Sequence, residues 1–464
     1  MPCPFVPPYL LRRLARTTIV GGSTVGEHTL ELDRVLRSRR EEPPKSPAST
    51  ALAPAGPVTT TRIVHTAGNT ETLPVRVVRS DGDPAAGDPA VDEAFDSAGQ
   101  VLDLFATEFG RRSMDGRGSP VSITVHFGRD YDNAFWDGTQ LVFGDGDGEI
   151  FDRFTKPMDV LAHEFAHGVT QLTAGLVYFD QSGAVNESIS DVFAAMTKQR
   201  SRSETAEQAD WLVGEGLFRP GVDARALRSM LEPGTAYDDP RLGRDPQVGR
   251  MADYVTTADD NGGVHINSGI PNRAFAVAAR GLGGFTWERI GKVWYDALTT
   301  GDLPARSGFA TFARATLRSA ARVFPTDPEV ADRIAAAWRT VGVLDDAPLT
   351  GRPLDLATDP GEPRPTTVAV RRSGGFAGTV RSGELDLDAD PEGPEVRLLL
   401  SRLRVQPIDV GPPAPDRFTY TVRYGEWQLS VPEPDLTPDL RRVVSIVLSR
   451  DQPRRLGSEA GPIS

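Results

Sequence analysis

The sequence predicts an α+β chain built as a β-rich lobe, a helical lobe and a small α+β domain at the C-terminus. Three observations predict it. Val121-Ser-Ile-Thr-Val-His-Phe127 alternates apolar and polar residues as a half-buried strand does. From Asp159 onward the pattern turns helical, ending in a segment where Ala331, Ile334, Ala335 and Trp338 share one face. From Thr367 it changes again, to short strands and one helix. A chain of 464 residues leaves room for about three domains.

Taken in order, residues 1–58 open with a short amphipathic piece, Pro7-Pro-Tyr-Leu-Leu-Arg-Arg-Leu14. A polar stretch follows, then a Pro/Ala/Ser/Thr-rich linker from Glu42 to Thr61. Residues 59–158 read as strands with one early helix, in which Phe95, Val101, Leu102, Phe105 and Phe109 fall near one face of Val91–Gly110. His126, inside the strand alternation, reads as structural. Residues 159–345 form the helical lobe, whose last helix runs from Asp327 to Thr340. Residues 346–365 lie in a linker rich in Pro, Gly and Asp. Residues 366–464 carry strands at Val368–Arg372, Gly378–Leu387, Phe418–Tyr424 and Trp427–Val431, with a helix at Thr437–Leu448.

Composition narrows the function classes. The hydrophobic and charged fractions, 39% and 25%, are those of an ordinary soluble globular protein. A net charge of −13 argues against a nucleic-acid surface, which needs concentrated Lys and Arg. Cys3 is the single cysteine, so no intrachain disulfide can form. No apolar run approaches the roughly 18 residues needed to span a membrane. The N-terminus makes a poor signal peptide: Pro2, Pro4, Pro7 and Pro8 break its apolar stretch, and Arg12 and Arg13 follow that stretch. These features lead us to expect a cytoplasmic monomer, with leaderless export as the other route.

The chemistry-bearing stretch is Val160-Leu-Ala-His-Glu-Phe-Ala-His-Gly168, an H-E-x-x-H pattern in an apolar, helix-like setting. His163 and His167 are four apart and share a helix face, so their imidazoles can hold zinc. Glu164 beside them can take a proton from a water on that metal. Alone, the pattern could also be two histidines and a glutamate placed by chance. A second segment, Gly183-Ala-Val-Asn-Glu-Ser-Ile-Ser-Asp191, offers Glu187 and Asp191, again four apart. Two histidines and a glutamate form a standard catalytic zinc set, and Asp191 would then fix the far nitrogen of His163.

These two segments belong to an ordered series. The others are Asn133-Ala-Phe-Trp136, Gly144-Asp-Gly-Asp-Gly148, Leu227-Arg-Ser-Met230 and Asp260-Asn-Gly-Gly-Val-His-Ile-Asn-Ser-Gly269. Together they resemble the thermolysin-like neutral metalloproteases over roughly residues 59–345. The resemblance implies two lobes, with the zinc helix between them at the floor of a cleft. It implies Zn2+ on His163, His167 and Glu187, and Glu164 as general base. Tyr178 and His265 become donors to the oxyanion, and Asp260 orients His265. Asn133 and the carbonyl of Ala134 would lie on an edge strand pairing with extended substrate, a sequence-tolerant mode of binding. Arg228 would hold the carbonyl beyond the cut bond. The pocket after that bond maps onto Phe151, Phe154, Val160, Val213, Leu217 and Leu227, which implies cleavage on the amino side of bulky hydrophobic residues. Read alone, each of these is as readily core, Arg228 an ion pair, and Asn133–Trp136 a packed aromatic turn.

One departure stands out. The family's paired calcium site maps onto Asp159, Lys198, Asp210, Leu212 and Glu215, and a lysine ammonium supplies no oxygen to Ca2+. The double site is therefore doubtful: Lys198 could itself stand in for a cation, and a single Ca2+, here or elsewhere, is the other expectation. Two flanking segments carry further resemblances. Cys3-Pro-Phe-Val-Pro-Pro-Tyr-Leu-Leu-Arg12 is similar to the short propeptide of protealysin-type enzymes, which implies a removable segment cut in the linker. Cys3 is either a thiolate cap for the zinc or a small packed residue. Arg372-Ser-Gly-Gly-Phe-Ala-Gly378 and Asp416-Arg-Phe-Thr-Tyr-Thr421 look like emfourins, small inhibitors of protealysin-type proteases. The expected partners are thus protein or peptide substrates, the propeptide and the C-terminal module. The rival expectation is a silent binding scaffold whose cleft that module fills.

Overall fold

The structure is a computed structural model. It describes residues 3–16, 26–39, 60–73, 76–344, 366–374, 381–390, 418–424, 427–433 and 438–449, with a few single positions besides. Residues 42–59 and 346–365 of the expected linkers therefore lie outside the described residues. The chain divides into two compact units, Met1–Gly351 and Arg352–Ser464.

The first unit opens on a six-stranded sheet of order β1-β5-β6-β4-β2-β3, comprising β1 (Cys3–Pro4), β2 (Arg62–Thr66), β3 (Arg76–Ser80), β4 (Val121–Val125), β5 (Ala134–Trp136) and β6 (Leu141–Phe143). Its central strand, β4, runs parallel to both neighbours. It is the alternating stretch read in the sequence, and it stops at His126 because that residue turns to φ 56°. Helix α3 (Pro89–Phe109) covers the sheet. Asp88 caps it by accepting from the Ala90 and Val91 amides, proline takes its first position, and Gly110 ends it at φ 62°. Val101 and Phe105 are buried as the periodicity requires, while Leu102 and Phe109 are only partly covered.

Two long buried helices follow, α4 (Met158–Gln171) and α5 (Asp180–Arg202). At Gly183 a β-carbon would come within 2.4 Å of Val264 Cγ1, so only glycine lets α5 approach the 260–267 loop-helix. The rest of the lobe is α6 (Asp260–Asn267), α7 (Gly269–Leu282), α8 (Ile290–Thr299), α9 (Phe309–Val323) and α10 (Pro328–Thr340). Trp294 and Trp338 stack at 6.1 Å in its core, and Trp338 Nε1 donates to Thr316 Oγ1 at 3.0 Å. Each such buried aromatic stabilises the fold by about 2 to 3 kcal/mol relative to exposure. Two pairs of two-residue strands were not expected: β7 (Leu212–Val213) with β8 (Arg228–Ser229), and β9 (Asp238–Asp239) with β10 (Gly243–Arg244). They are too short for any alternation to show.

The N-terminal segment belongs to this unit. β1 adds antiparallel to the sheet edge at β5, followed by α1 (Pro8–Ala15) and α2 (Glu27–Arg39). Phe5, Val6, Leu10, Leu11 and Leu14 are buried in the main core.

The second unit is a four-stranded antiparallel sheet of order β12-β11-β13-β14, with β11 (Thr367–Gly374), β12 (Arg381–Asp386), β13 (Phe418–Tyr424) and β14 (Trp427–Pro432). Helix α11 (Pro438–Ser449) lays Leu440, Val443 and Val447 against Val368, Val370 and Val422. These are the strands and helix expected there, apart from residues 378–380, which fall outside the described set.

Candidate metal centre and active site

On α4, His163 and His167 stand one turn apart, and α5 brings Glu187 to them; all three are buried and their ligand atoms lie within 4.8 Å of one another. The two Nε2 atoms are 3.0 Å apart. Each ring's other nitrogen faces an acceptor: Asp191 Oδ1 accepts from His163 Nδ1 at 2.9 Å, and Asn186 Oδ1 from His167 Nδ1 at 2.9 Å. With the protons drawn to Nδ1, both Nε2 lone pairs point at one spot beside a buried carboxylate. Glu187 Oε2 has no hydrogen-bond partner of its own. Three buried electron-rich atoms converging on one spot repel one another, so the set fits a divalent cation.

Asp191 serves three neighbours. Besides His163 it receives Arg228 through Nε at 2.9 Å and Nη2 at 2.9 Å, and Asn272 Nδ2 at 2.8 Å. Burial alone would raise its pKa, but Arg228 and His163 hold it below the usual carboxylate range. Conversely, burial disfavours the Arg228 charge, and Asp191 more than offsets this.

Glu164, also buried on α4, lies near both histidines and reaches the edge strand β5. The Trp136 amide donates to its Oε2 at 2.7 Å, while Oε1 is buried with no hydrogen-bond partner. Burial pushes its pKa up to about 7, against the pull of His167 and His163. Such a carboxyl can both take and give a proton near neutrality.

Across the cleft, α6 begins with four left-handed residues, Asp260 to Gly263, at φ 55, 51, 84 and 77°. This coil folds Asp260 back, so that Oδ1 accepts from His265 Nδ1 at 2.6 Å and Oδ2 from the His265 amide at 2.9 Å. His265 Nε2 donates to the carbonyl of Pro4 at 3.0 Å. With acceptors at both nitrogens the ring favours the doubly protonated form; burial opposes this, but Asp260 and Glu187 raise its pKa. Tyr178 donates its hydroxyl to Glu187 Oε1 and lies 3.3 Å from His265 Nε2.

Residues 3–6 run along this cleft. The Phe5 amide donates to Ala134 O at 3.0 Å, and Arg228 Nη1 donates to Phe5 O at 3.1 Å. The Val6 amide donates to Asn133 Oδ1 at 2.8 Å, and Asn133 Nδ2 returns to Val6 O at 3.2 Å. The Phe5 ring sits edge-on to His163 at 5.0 Å and 4.6 Å below the Arg228 guanidinium. It shares one buried cluster with Phe151, Phe154, Val160, Val213, Leu217 and Leu227. Asn133-Ala-Phe-Trp136 is accordingly an edge strand with a chain already paired to it. The backbone of Cys3 pairs with Trp136, and its side chain lies outside the described residues.

Several contributors were not read from the sequence. Asn186 and Ser190, whose Oγ is 3.1 Å from His167 Nδ1, lie on the same α5 face as Glu187 and Asp191, so helical spacing could have found them. Gly214 touches the Phe5 ring: a β-carbon there would stand 3.4 Å from it. Nothing local marks that glycine.

At the positions of the doubtful calcium pair, Lys198 Nζ donates to Asp210 Oδ1 at 2.7 Å and Leu212 O at 2.7 Å, with Glu215 Oε2 at 3.6 Å. Arg202 adds bonds to Asp210 at 3.1 Å and Glu215 at 2.9 Å. Asp159, also there, is buried, which raises its pKa while Lys198 lowers it.

Comparison with known proteins agrees with this geometry. Residues 59–171 match the thermolysin metallopeptidase catalytic domain, residues 174–343 its alpha-helical domain, and residues 370–448 Emfourin. The chain is 48% identical over 342 residues to an "Extracellular metalloprotease" of Pectobacterium carotovorum subsp. carotovorum, covering 74% of this chain and 96% of that one. It is 37% identical over 274 residues to a "Thermolysin" of Alicyclobacillus acidocaldarius subsp. acidocaldarius, covering 57% of this chain and 48% of that one. Among solved structures it resembles "Precursor of Protealysin, Metalloproteinase from Serratia proteamaculans", with TM-score 0.66 and 47% identity over 74% of this chain and all (100%) of that one. The chain belongs to the thermolysin family of zinc metallopeptidases, and it carries an emfourin domain beyond its two peptidase domains.

Proposed function

We propose that the protein is a zinc endopeptidase made as a precursor, cutting protein or peptide chains on the amino side of bulky hydrophobic residues. One observation carries the reading: residues 3–6 lie on Asn133, Ala134, Arg228 and His265 as an extended peptide would. A substrate in the same track puts a bulky side chain where Phe5 sits and its reacting carbonyl where Pro4 O sits. His163, His167 and Glu187 would hold zinc, which would supply a Lewis acid toward that carbonyl and toward water. Glu164 takes the proton from the attacking water and passes it to the leaving amine. His265, steadied by Asp260, donates to the oxygen as negative charge grows, and Tyr178 is the second donor. Arg228, Asn133 and Ala134 hold the chain beyond the bond, and the apolar cluster around Phe5 sets the preference.

In the precursor the N-terminal segment fills the track, so the enzyme is latent until the linker before residue 59 is cut. The emfourin domain regulates the enzyme in cis, since a tethered module acts at an effective concentration in the millimolar range when its linker spans the sites. Lys198 and Arg202 replace the paired calcium by neutralising Asp210 and Glu215 directly. The protein acts as a monomer on peptide chains; no described helix is long and apolar enough to cross a membrane. Its similarity to a relative named extracellular supports export from the cell over residence in the cytoplasm.

The test is Glu164→Gln, with casein and a furylacryloyl peptide as substrates. Zinc content should stay at one per chain while hydrolysis falls by about 10²- to 10⁴-fold. Assays on the wild type, and on a chain ending near Asp346, separate regulation in cis from its absence. A wild type inactive in both forms, even after residues 1–58 are removed, would make the protein a silent scaffold.

A further inference from the structure

α1 with its C-cap residue lends Arg12, Arg13 and Arg16 to the same concavity that Arg244 of the β9–β10 hairpin lines. The concavity holds about 620 Å³, within the range of small-molecule sites. Against a chain of net charge −13, four converging guanidiniums are the local exception. Asp259 is the acidic side chain of its lining, 3.7 Å from Arg12 Nη2. Arg16 and Arg244 make no ion pair among the described residues. The arrangement is also built to place Arg13. Its guanidinium lies flat on Gly243, at φ 78°, where a β-carbon would come within 2.6 Å of Arg13 Cζ.

Four arginines lining one concavity favour an anion that they can share. Guanidiniums grip phosphate oxygens in parallel pairs, and four of them match the oxygens of two or three linked phosphates better than those of one. Tyr9 and Tyr237 supply a partly apolar wall beside them. We propose that this groove binds a short polyphosphate chain, either free or borne on a nucleoside.

The site has a consequence for maturation. Three of its four arginines belong to the N-terminal segment and the fourth to the peptidase domain, so the ligand binds only while the two are docked. By linkage it stabilises the docked form and slows loss of the segment. This consequence rests on reading residues 1–58 as removable; the binding itself does not.

The experiment uses the full-length, zinc-loaded Glu164→Gln precursor, which cannot cut itself. Calorimetric titrations with sodium tripolyphosphate and with ATP, at fixed ionic strength, should show saturable binding of one ligand per chain. Arg16→Gln/Arg244→Gln should weaken it at least tenfold and abolish the ligand-induced rise in melting temperature. Both residues are exposed, so the pair is expected to melt like its parent without ligand. Asp259→Asn should shift affinity the opposite way. Equal affinity for the two ligands assigns the site to the free phosphate chain, and tighter ATP binding assigns it to the nucleoside form. No binding, or binding that the double variant leaves unchanged because phosphate has gone to the metal, overturns the proposal. Casein hydrolysis by the wild type would stand whichever way this falls.

Discussion

Asp191 joins His163 of the candidate metal site to Arg228, the residue proposed to hold substrate. One carboxylate oxygen accepts from His163 Nδ1 and Arg228 Nη2 together, and the other from Arg228 Nε and Asn272. The imidazole tautomer and the guanidinium orientation are thus set by a single side chain. Replacing it with alanine removes both supports and leaves a buried guanidinium uncompensated. We expect Asp191→Ala to lower zinc affinity by about 10- to 100-fold. It should also raise KM for substrates that carry a carbonyl beyond the cut bond. Competition with a chelator reads the first effect, and steady-state kinetics at saturating zinc the second. Unchanged zinc affinity would reduce Asp191 to a partner of Arg228 alone.

Between elements, His126 plays a comparable part for the fold. It ends β4 in a left-handed turn, and its ring bridges Asp145 at 2.8 Å and Asp88 at 3.0 Å. Asp88 caps α3 and Asp145 lies in the glycine-rich loop after β6, so one imidazole ties three elements together. Reading it as structural from the strand alternation was right in kind, but no local pattern indicates which carboxylates it reaches. Its pKa is raised, chiefly by the Asp145 hydrogen bond against the cost of burial. A raised folded-state pKa stabilises fully below the unfolded value of roughly 6.5, and the benefit fades as pH climbs through the folded value. The stability gap between wild type and His126→Gln should therefore be widest near pH 5.5, at about 1 kcal/mol, and close by pH 9. Urea melts at the two pH values measure it. A gap independent of pH would mean that the ring packs rather than pairs.

Across the whole molecule, legibility followed sequence distance. Glu187 and Asp191 could be read because four residues on a helix is a fixed geometry, and the strands of the second unit because alternation survives in six or seven residues. That residues 3–6 of this chain, rather than a separate peptide, lie on Asn133 and Arg228 depends on contacts spanning more than a hundred positions, which no period encodes. The same holds for α2. Leu32 packs beside Phe127 and Phe135, Thr29 Oγ1 accepts from the Asp132 amide at 3.0 Å, and the buried Asp33 accepts from Tyr131 Oη at 2.5 Å and Asn133 Nδ2 at 3.2 Å. The amide that clamps Val6 is thus gripped from behind by the same N-terminal segment, which couples its two docking points through one side chain. Asp33→Ala strips a charged acceptor from two buried donors, a loss of about 1 to 3 kcal/mol, or roughly 5- to 150-fold in how tightly the segment holds. The variant should consequently mature faster than wild type, with intact mass followed over days and melting temperature as the check on folding. A normal melt with an unchanged maturation rate would show that α2 is a passenger and that residues 3–6 alone keep the cleft closed.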